Sequence, residues 1–366
     1  MVEMAEIVRR YGKAYRVRFG NRLLTSHDRA LKDIQRCRTK SSGGQMYECP
    51  DHHQLAYKYH SCMNRSCPKC QNNQAQAWLE KEQKRLINTD YFLLTFTLPQ
   101  QLRAITRSNQ NLMFTIMFAA AWHAMKKLAM DKKRIGGLIG ALAVLHTWSR
   151  TLIYHPHIHF LVPAGAIAEN LETWIPAKNR FLLPVKALSK IFRAKIRDAL
   201  IQQHEALFEQ IPKQVWRKNW VVHCKQAGNG QAVLKYFAPY IFRIALSNKR
   251  IIKLDNDQVT FIYKHPKTKK WTPVSLHVFG FLRRFLQHVL PQGFKKIRHY
   301  GFLNSKYKQV LITLQYILGT VEKVDTDKEK KRKPQKPLCP ICGKKMILIG
   351  VFEPDYFTVP IQQKPP

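Results

Sequence analysis

The spacing of apolar and polar positions names most of the elements. Ala5-Glu-Ile-Val-Arg-Arg-Tyr11 and Ser26–Arg36 place apolar residues at helical intervals in basic sequence, with Ser26 or His27 where a cap belongs. Residues 71–86, rich in Gln, Lys and Glu, read as an exposed helix. Tyr91-Phe-Leu-Leu-Thr-Phe-Thr-Leu98 is rich in β formers and closed by Pro99, so it reads as a buried strand. A long helix is predicted over residues 105–130. Further strands are predicted at Gly140–Trp148, residues 151–163 and Asn219–His223. Residues 232–246 return to helical spacing. Val259–Tyr263 and Lys270–Val274 fit a hairpin, and residues 275–289 an amphipathic helix ending at Pro291. The mixture predicts an α+β chain built on a mainly antiparallel sheet flanked by helices.

Composition adds a class of partner. In 366 residues, Lys plus Arg is 62 and Asp plus Glu is 23, a net charge of +39. Such an excess suits polyanion binding, because each neutralised phosphate releases counterions. A hydrophobic fraction of 45% belongs to a folded protein and excludes a disordered basic tail as the whole story. The longest apolar stretch, Leu112–Trp122, falls short of the roughly 18 residues of a membrane span. Met1–Arg10 lacks the apolar core of an export signal, so the expected location is cytoplasmic, with the eight cysteines as thiols or metal ligands.

The cysteines carry the first candidate chemistry. Cys49-Pro-Asp-His52 is a C-x2-H pair and Cys67-Pro-Lys-Cys70 a C-x2-C pair. Two such turns each aim two ligands at one ion, which predicts a structural Zn²⁺ on Cys49, His52, Cys67 and Cys70, with His53 as the alternative to His52. Cys37 and Cys62, with His60 nearby, either complete a second zinc site or displace His52 from the first. The surrounding Arg36, Arg38, Lys40, Lys58, Arg65 and Lys69 are expected to face nucleic acid. Cys339-Pro-Ile-Cys342-Gly343 is half a zinc ribbon with no second pair in the tail, and Cys224 reads as a buried thiol.

His155-Pro-His-Ile-His159 carries the second. On a strand, side chains two apart share a face, so His157 and His159 project together, roughly 7 Å apart along the backbone, and can converge on one divalent ion. Ile158 and Phe160 point the other way into a core. His146, His155 and Gln231 are candidates for a third ligand. Tyr236-Phe-Ala-Pro-Tyr240 sets two phenols one helical turn apart. Tyrosine can be a covalent nucleophile, although packing in a core is the commoner fate of such a pair.

Taken together these segments resemble the rolling-circle HUH two-tyrosine transposases of the insertion-sequence-ninety-one family. The resemblance runs from Arg9-Arg-Tyr-Gly-Lys-Ala-Tyr-Arg16 through Cys37-Arg-Thr39, Gly43-Gly44 and the Ser61–Gln71 cysteine segment. It continues in His146-Thr-Trp148, His155–His159, Val162-Pro-Ala-Gly165, Tyr236–Tyr240 with Arg243 and Ser247-Asn248, and Ile297-Arg-His-Tyr-Gly-Phe302. It implies an N-terminal zinc-binding module and an HUH-type sheet. His157 and His159 would hold catalytic Mg²⁺ or Mn²⁺, and Tyr236 and Tyr240 would be nucleophiles on single-stranded element ends and target DNA. Lys296, Arg298 and His299 suit contacts to a DNA backbone. The implied division is a basic helical leader at 1–36, a zinc-binding domain at 37–86, a catalytic domain at 87–320, and a charged linker with its CPxCG tail at 321–366. Two departures stand out. His52 replaces a cysteine, which zinc tolerates, and Pro239 between the tyrosines removes a helical hydrogen bond at a cost of about 3 kcal/mol. Ser149-Arg150 also departs from a more polar, Gly-containing pair. A plasmid relaxase or replication initiator, and a zinc-containing DNA binder without catalysis, are the rival readings.

Overall fold

The computed structural model describes residues 2–70, 78–178, 181–229, 233–234, 244–320 and 336–354. Its centre is a five-stranded antiparallel sheet in the order β12-β4-β5-β3-β8. The strands are β3 (Asp90–Thr97), β4 (Gly140–Trp148), β5 (Tyr154–Pro163), β8 (Val222–Asn229) and β12 (Ile297–Gly301). Two-residue alternation gives the sheet two unlike faces. Phe96, Ile158, Phe160, Ala143 and Leu145 point into one, where helices α4 (Gln110–Met130) and α5 (Val185–Gln203) cover them. Phe96 packs edge-on to Phe160 and Phe192, with centroids at 5.6 and 5.0 Å. The other face carries Leu142, Val144 and Leu161 beside the histidines, and meets Val233, Leu234 and the helix α8 (Lys308–Ile317).

The N-terminal helices α1 (Met4–Phe19) and α2 (Thr25–Arg36) do not form a separate leader. Ile7, Val8, Leu31 and Ile34 share one buried cluster with Cys37, Cys67 and Cys70, and with Phe281 and Phe285 of α7 (Val278–Leu286). Beside them stands a meander of β9 (Ile251–Asp255), β10 (Gln258–Lys264) and β11 (Trp271–His277). A third sheet pairs the hairpin β1 (Gly44–Glu48) and β2 (Leu55–Tyr59) with the C-terminal strand β13 (Ile347–Phe352), in the order β13-β1-β2. Remaining small elements are β6 (Gly165–Ile167), β7 (Trp174–Pro176), α3 (Arg103–Ser108) and α6 (Glu205–Glu209).

Several boundaries move. α2 begins at Thr25 with Leu24 in the cap position, so neither Ser26 nor His27 caps it. The expected helix over 105–130 is two helices broken at Asn109, whose side-chain amide bonds the Ile105 carbonyl. β8 lies C-terminal to most of Asn219–His223, because it is paired with β3 from Phe96↔Val222 to Asp90↔Asn229. β11 runs through His277, so the amphipathic helix starts only at Val278. Residues 78–83 are helical, as expected for that stretch. Tyr236, Pro239, Tyr240, Gln231, Arg243 and most of the 321–337 linker lie outside the described residues.

One glycine sets the edge of the sheet. Gly301 closes β12 at φ +55°, and a Cβ there would stand 1.7 Å from the Ile139 carbonyl oxygen. Gly301→Ala combines a left-handed backbone with this clash and is expected to cost about 3 kcal/mol. The measurable outcome is a fall of roughly 4 °C in Tm by thermal denaturation. An unchanged Tm contradicts the account.

Candidate functional site: a histidine face and two cysteine clusters

The register of β4 with β5 sets His146 opposite His157, and Val144 opposite His159. Three imidazoles therefore meet on the face away from α4 and α5. Their ligand atoms all lie within 4.8 Å of one another. The ring centroids of His146 and His157 are 4.9 and 4.8 Å from that of His159. His146 and His159 are buried. Burial pushes the His157 imidazole down to about 4 and that of His159 to about 3, so both are neutral at pH 7 with a lone pair to give. His157 Nδ1 bonds the His155 carbonyl oxygen (2.6 Å) and His159 Nδ1 the Thr95 hydroxyl (3.0 Å). A carbonyl only accepts, so His157 Nδ1 donates and Nε2 is left as its ligand atom, while the Thr95 hydroxyl holds the His159 ring in place. Trp148 stacks on His146 at 4.8 Å.

Among the three candidate third ligands, His146 joins the pair. His155 is drawn aside: Arg103 Nη2 donates to its Nδ1 (2.6 Å), and burial and that guanidinium lower its pKa. Gln231 lies outside the described residues. An all-imidazole set is a borderline donor, better suited to Mn²⁺ or Zn²⁺ than to Mg²⁺, which prefers oxygen.

The cysteines group differently from the expected pairs. Cys37, Cys62, Cys67 and Cys70 come together, with Sγ–Sγ distances of 3.5 Å (Cys37–Cys70), 3.6 Å (Cys62–Cys70) and 3.7 Å (Cys67–Cys37). A tetrahedron with Zn–S bonds of 2.3 Å has edges of about 3.8 Å, so this cluster fits zinc. Cys49 is not part of it. It lies with His53, Cys339 and Cys342, and His52 turns away to bond Glu48 (2.9 Å). The reason is the hairpin. Cys37 and Cys62 flank its open end, where the Arg38 N–H bonds the His60 carbonyl, whereas Cys49 sits at its turn. Five residues at the strand rise put the ends about 16 Å apart, too far for one ion. Cys37 and Cys62 are thus ligand candidates of the first cluster, not of a separate second one. All eight cysteines are free thiols, and Cys224 is partly buried.

Of the basic residues around the cysteines, Arg38, Lys40 and Lys58 are exposed, while others have partners within the fold. Arg65 donates to the carbonyls of Leu290, Pro291 and Phe294, just before β12, and so bolts the cysteine loop to the central sheet. Arg36 pairs with Asp33 and Lys69 with Glu3. Arg298 lies 4.2 Å over the Phe118 ring, on the sheet's core face. His299 Nε2 bonds Glu82 (2.9 Å), and burial pushes Lys296 down to about 8. Sequence reasoning passed over another basic feature. Arg150, on the β4–β5 turn, joins Arg250, Tyr263, Lys264, Lys269 and Trp271 around a cleft of about 340 Å³. It opens at the end of the sheet that carries the three histidines. The separate positions of these residues in the chain gave no local signal of it.

Residues 7–98 match the family model described as "Transposase zinc-binding domain", and residues 140–310 match the model described as "Putative transposase". The "Putative transposase y4qJ" of Sinorhizobium fredii is 33% identical over 383 residues, covering 96% of each chain. The "Transposase for insertion sequence element IS801" of Pseudomonas savastanoi pv. phaseolicola is 28% identical over 289 residues, covering 74% of this chain and 68% of its own. No solved structure matches the chain.

If the ring positions matter for metal binding, Thr95→Val should weaken Mn²⁺ binding by about 10-fold, the lower end of such outer-shell effects. His146→Ala should weaken it further. Titration calorimetry or Mn²⁺ spin resonance reads both, without reference to catalysis. Unchanged affinity in His146→Ala removes it from the ligand set.

Proposed function

Because the chain belongs to the IS91 family of transposases, we propose that it moves DNA by the HUH tyrosine route. In this reading it nicks single-stranded element ends and transfers the strand in rolling-circle transposition. The observation that carries the reading is the cluster of His146, His157 and His159 on one face of the central sheet. The expected ion there, Mn²⁺ or Mg²⁺, would polarise the scissile phosphate when bound. Tyr236 or Tyr240 would attack phosphorus through its phenolic oxygen. The O3′–P bond breaks, the 3′ oxygen leaves as a hydroxyl after taking a proton, and the 5′ phosphate stays on the tyrosine. Attack by a second 3′-OH reverses the exchange on a new strand. Both steps are transesterifications, so no ATP is consumed.

The chain to either side of the tyrosines supports this. Val233 and Leu234 are buried against Leu142, Val144 and Leu161 on the histidine face. Ala245 and Leu246 are buried beside Leu152, in the turn that joins β4 to β5. The two anchors therefore lie either side of the three histidines. The cleft around Arg150, Lys269 and Trp271 offers cations and an exposed indole to a single strand, the combination that holds nucleic acid by backbone charge and base stacking. The cluster of Cys37, Cys62, Cys67 and Cys70 would hold the structural Zn²⁺ of the N-terminal domain.

The test is covalent trapping. Labelled single-stranded element-end DNA with Mn²⁺ or Mg²⁺ is expected to give a protein–DNA adduct that Tyr236→Phe with Tyr240→Phe reduces to background. His157→Ala with His159→Ala should do the same while zinc content is retained. An adduct that survives the double tyrosine change places the nucleophile elsewhere. No adduct on any end, with DNA binding intact, favours the binding-only reading. For the cleft, Trp271→Ala should weaken single-strand binding about 5- to 100-fold, as loss of one stacked base does. Equal affinity by fluorescence anisotropy rules the cleft out as a stacking site.

A further inference from the structure

The second cysteine cluster joins the two ends of the chain. We infer that Cys49 and His53, from the β1–β2 turn, and Cys339 and Cys342, from the C-terminal knuckle, form a second zinc site that clips β13 onto the N-terminal hairpin. Only half of these ligands fall within residues 7–98, the stretch that matches the zinc-binding domain.

Two of the donor–donor distances already match the edges of a zinc tetrahedron. Cys49 Sγ is 3.5 Å from Cys342 Sγ and 3.6 Å from His53 Nδ1, and all four ligand atoms lie within 4.8 Å of one another. Zn–S and Zn–N bonds of 2.3 and 2.0–2.1 Å give edges of about 3.5 to 3.8 Å. A disulfide needs sulfurs near 2.05 Å, so the Cys49–Cys342 pair is unbonded.

Both turns are shaped to present ligands. Gly343, at φ +73°, follows Cys342, and its N–H bonds the Cys339 carbonyl (2.7 Å). His52 adopts φ +54°, and its N–H bonds the Cys49 carbonyl (2.8 Å), which brings His53 rather than His52 round to the cluster. The backbone N–H groups of Cys342 and Ile341 point at the Cys339 sulfur. Lys344 spans the turns to Asp51 (2.9 Å).

Packing alone does not explain why β13 stays. The buried core there is Tyr47, Cys49, Cys339 and Met346, with Ala56 and Cys342 against it. On β13 itself Ile347, Leu348, Ile349 and Val351 are 51, 43, 45 and 66% exposed. So small a core is of the kind that metal ligation usually completes, because the binding energy becomes folding energy.

The experiment measures zinc per full-length chain by plasma mass spectrometry, in a His157→Ala background that empties the histidine face. Two zinc ions are expected. Cys342→Ser should leave one and remove hydrogen-exchange protection from residues 337–354 while residues 37–70 keep theirs. Cys62→Ser should leave the C-terminal segment protected. His52→Ala and His53→Cys should each retain two ions, the latter because it restores a fourth ligand, whereas His53→Ala should lose one to a mild chelator. One zinc in the parent chain overturns the proposal. So does a Cys342→Ser chain that keeps two, or thiol titration that finds Cys49 and Cys342 oxidised to each other. Loss of zinc in His52→Ala but not in His53→Ala overturns the ligand assignment.

Discussion

The register between β4 and β5 is the constraint on which the rest depends. Setting His146 opposite His157 puts three imidazoles on one face and Ala143, Leu145, Ile158 and Phe160 on the other. A slip of one residue would send the histidines into the core and the apolar residues out. Such a slip is blocked by the depth of burial on the apolar face, where Ile158 and Phe160 have no exposure at all. The site is therefore specified by its hydrophobic back. Phe96, Phe160 and Phe192 pack on the face opposite the candidate ligands, yet their packing decides which way those ligands point.

The same logic joins the zinc module to the sheet. The cluster of Cys37, Cys62, Cys67 and Cys70 would be a loose bead if it met the rest only through its linker. Instead α1 and α2 share a core with α7, and Arg65 reaches from the cysteine loop to three carbonyls ahead of β12. β12 in turn pairs with β4, the strand of His146. A guanidinium carries five donors in a rigid fork and can satisfy several carbonyls at once, which makes it a good rivet between domains.

The sequence made the strands and the histidine pair legible because period two and β-branched or aromatic enrichment are local signals. Gly140–Trp148 matches β4 at both ends. His157 and His159 needed only their alternation. The third histidine was one of three candidates, since choosing it requires the β4–β5 register, which is a property of two strands and not of either alone. The cysteines show the same limit more sharply. C-x2-C and C-x2-H spacing identifies turns that present ligands, but not which turns meet. The β1–β2 hairpin holds two clusters apart, and strand pairing with β13 brings Cys339 and Cys342 back to Cys49 from the far end of the chain. The basic residues show a related limit. A charge count does not distinguish Arg65 or Arg298, both occupied inside the fold, from Lys269, which lines an open cleft.

A set of imidazole ligands would have an electrostatic consequence. A carboxylate ligand would cancel part of an ion's charge before any substrate arrived, whereas imidazoles leave the full double positive charge to face a phosphodiester. That charge is costly to keep in a protein that is already +39, unless the near surroundings are uncharged. Among the described residues, burial keeps His157 and His159 neutral, and the Arg103 guanidinium donates to His155. The long-range positive field can then draw the DNA strand in. In the proposed mechanism the charge a phosphate would meet at close range would then come chiefly from the bound ion, because imidazole ligands bring no negative charge to offset it.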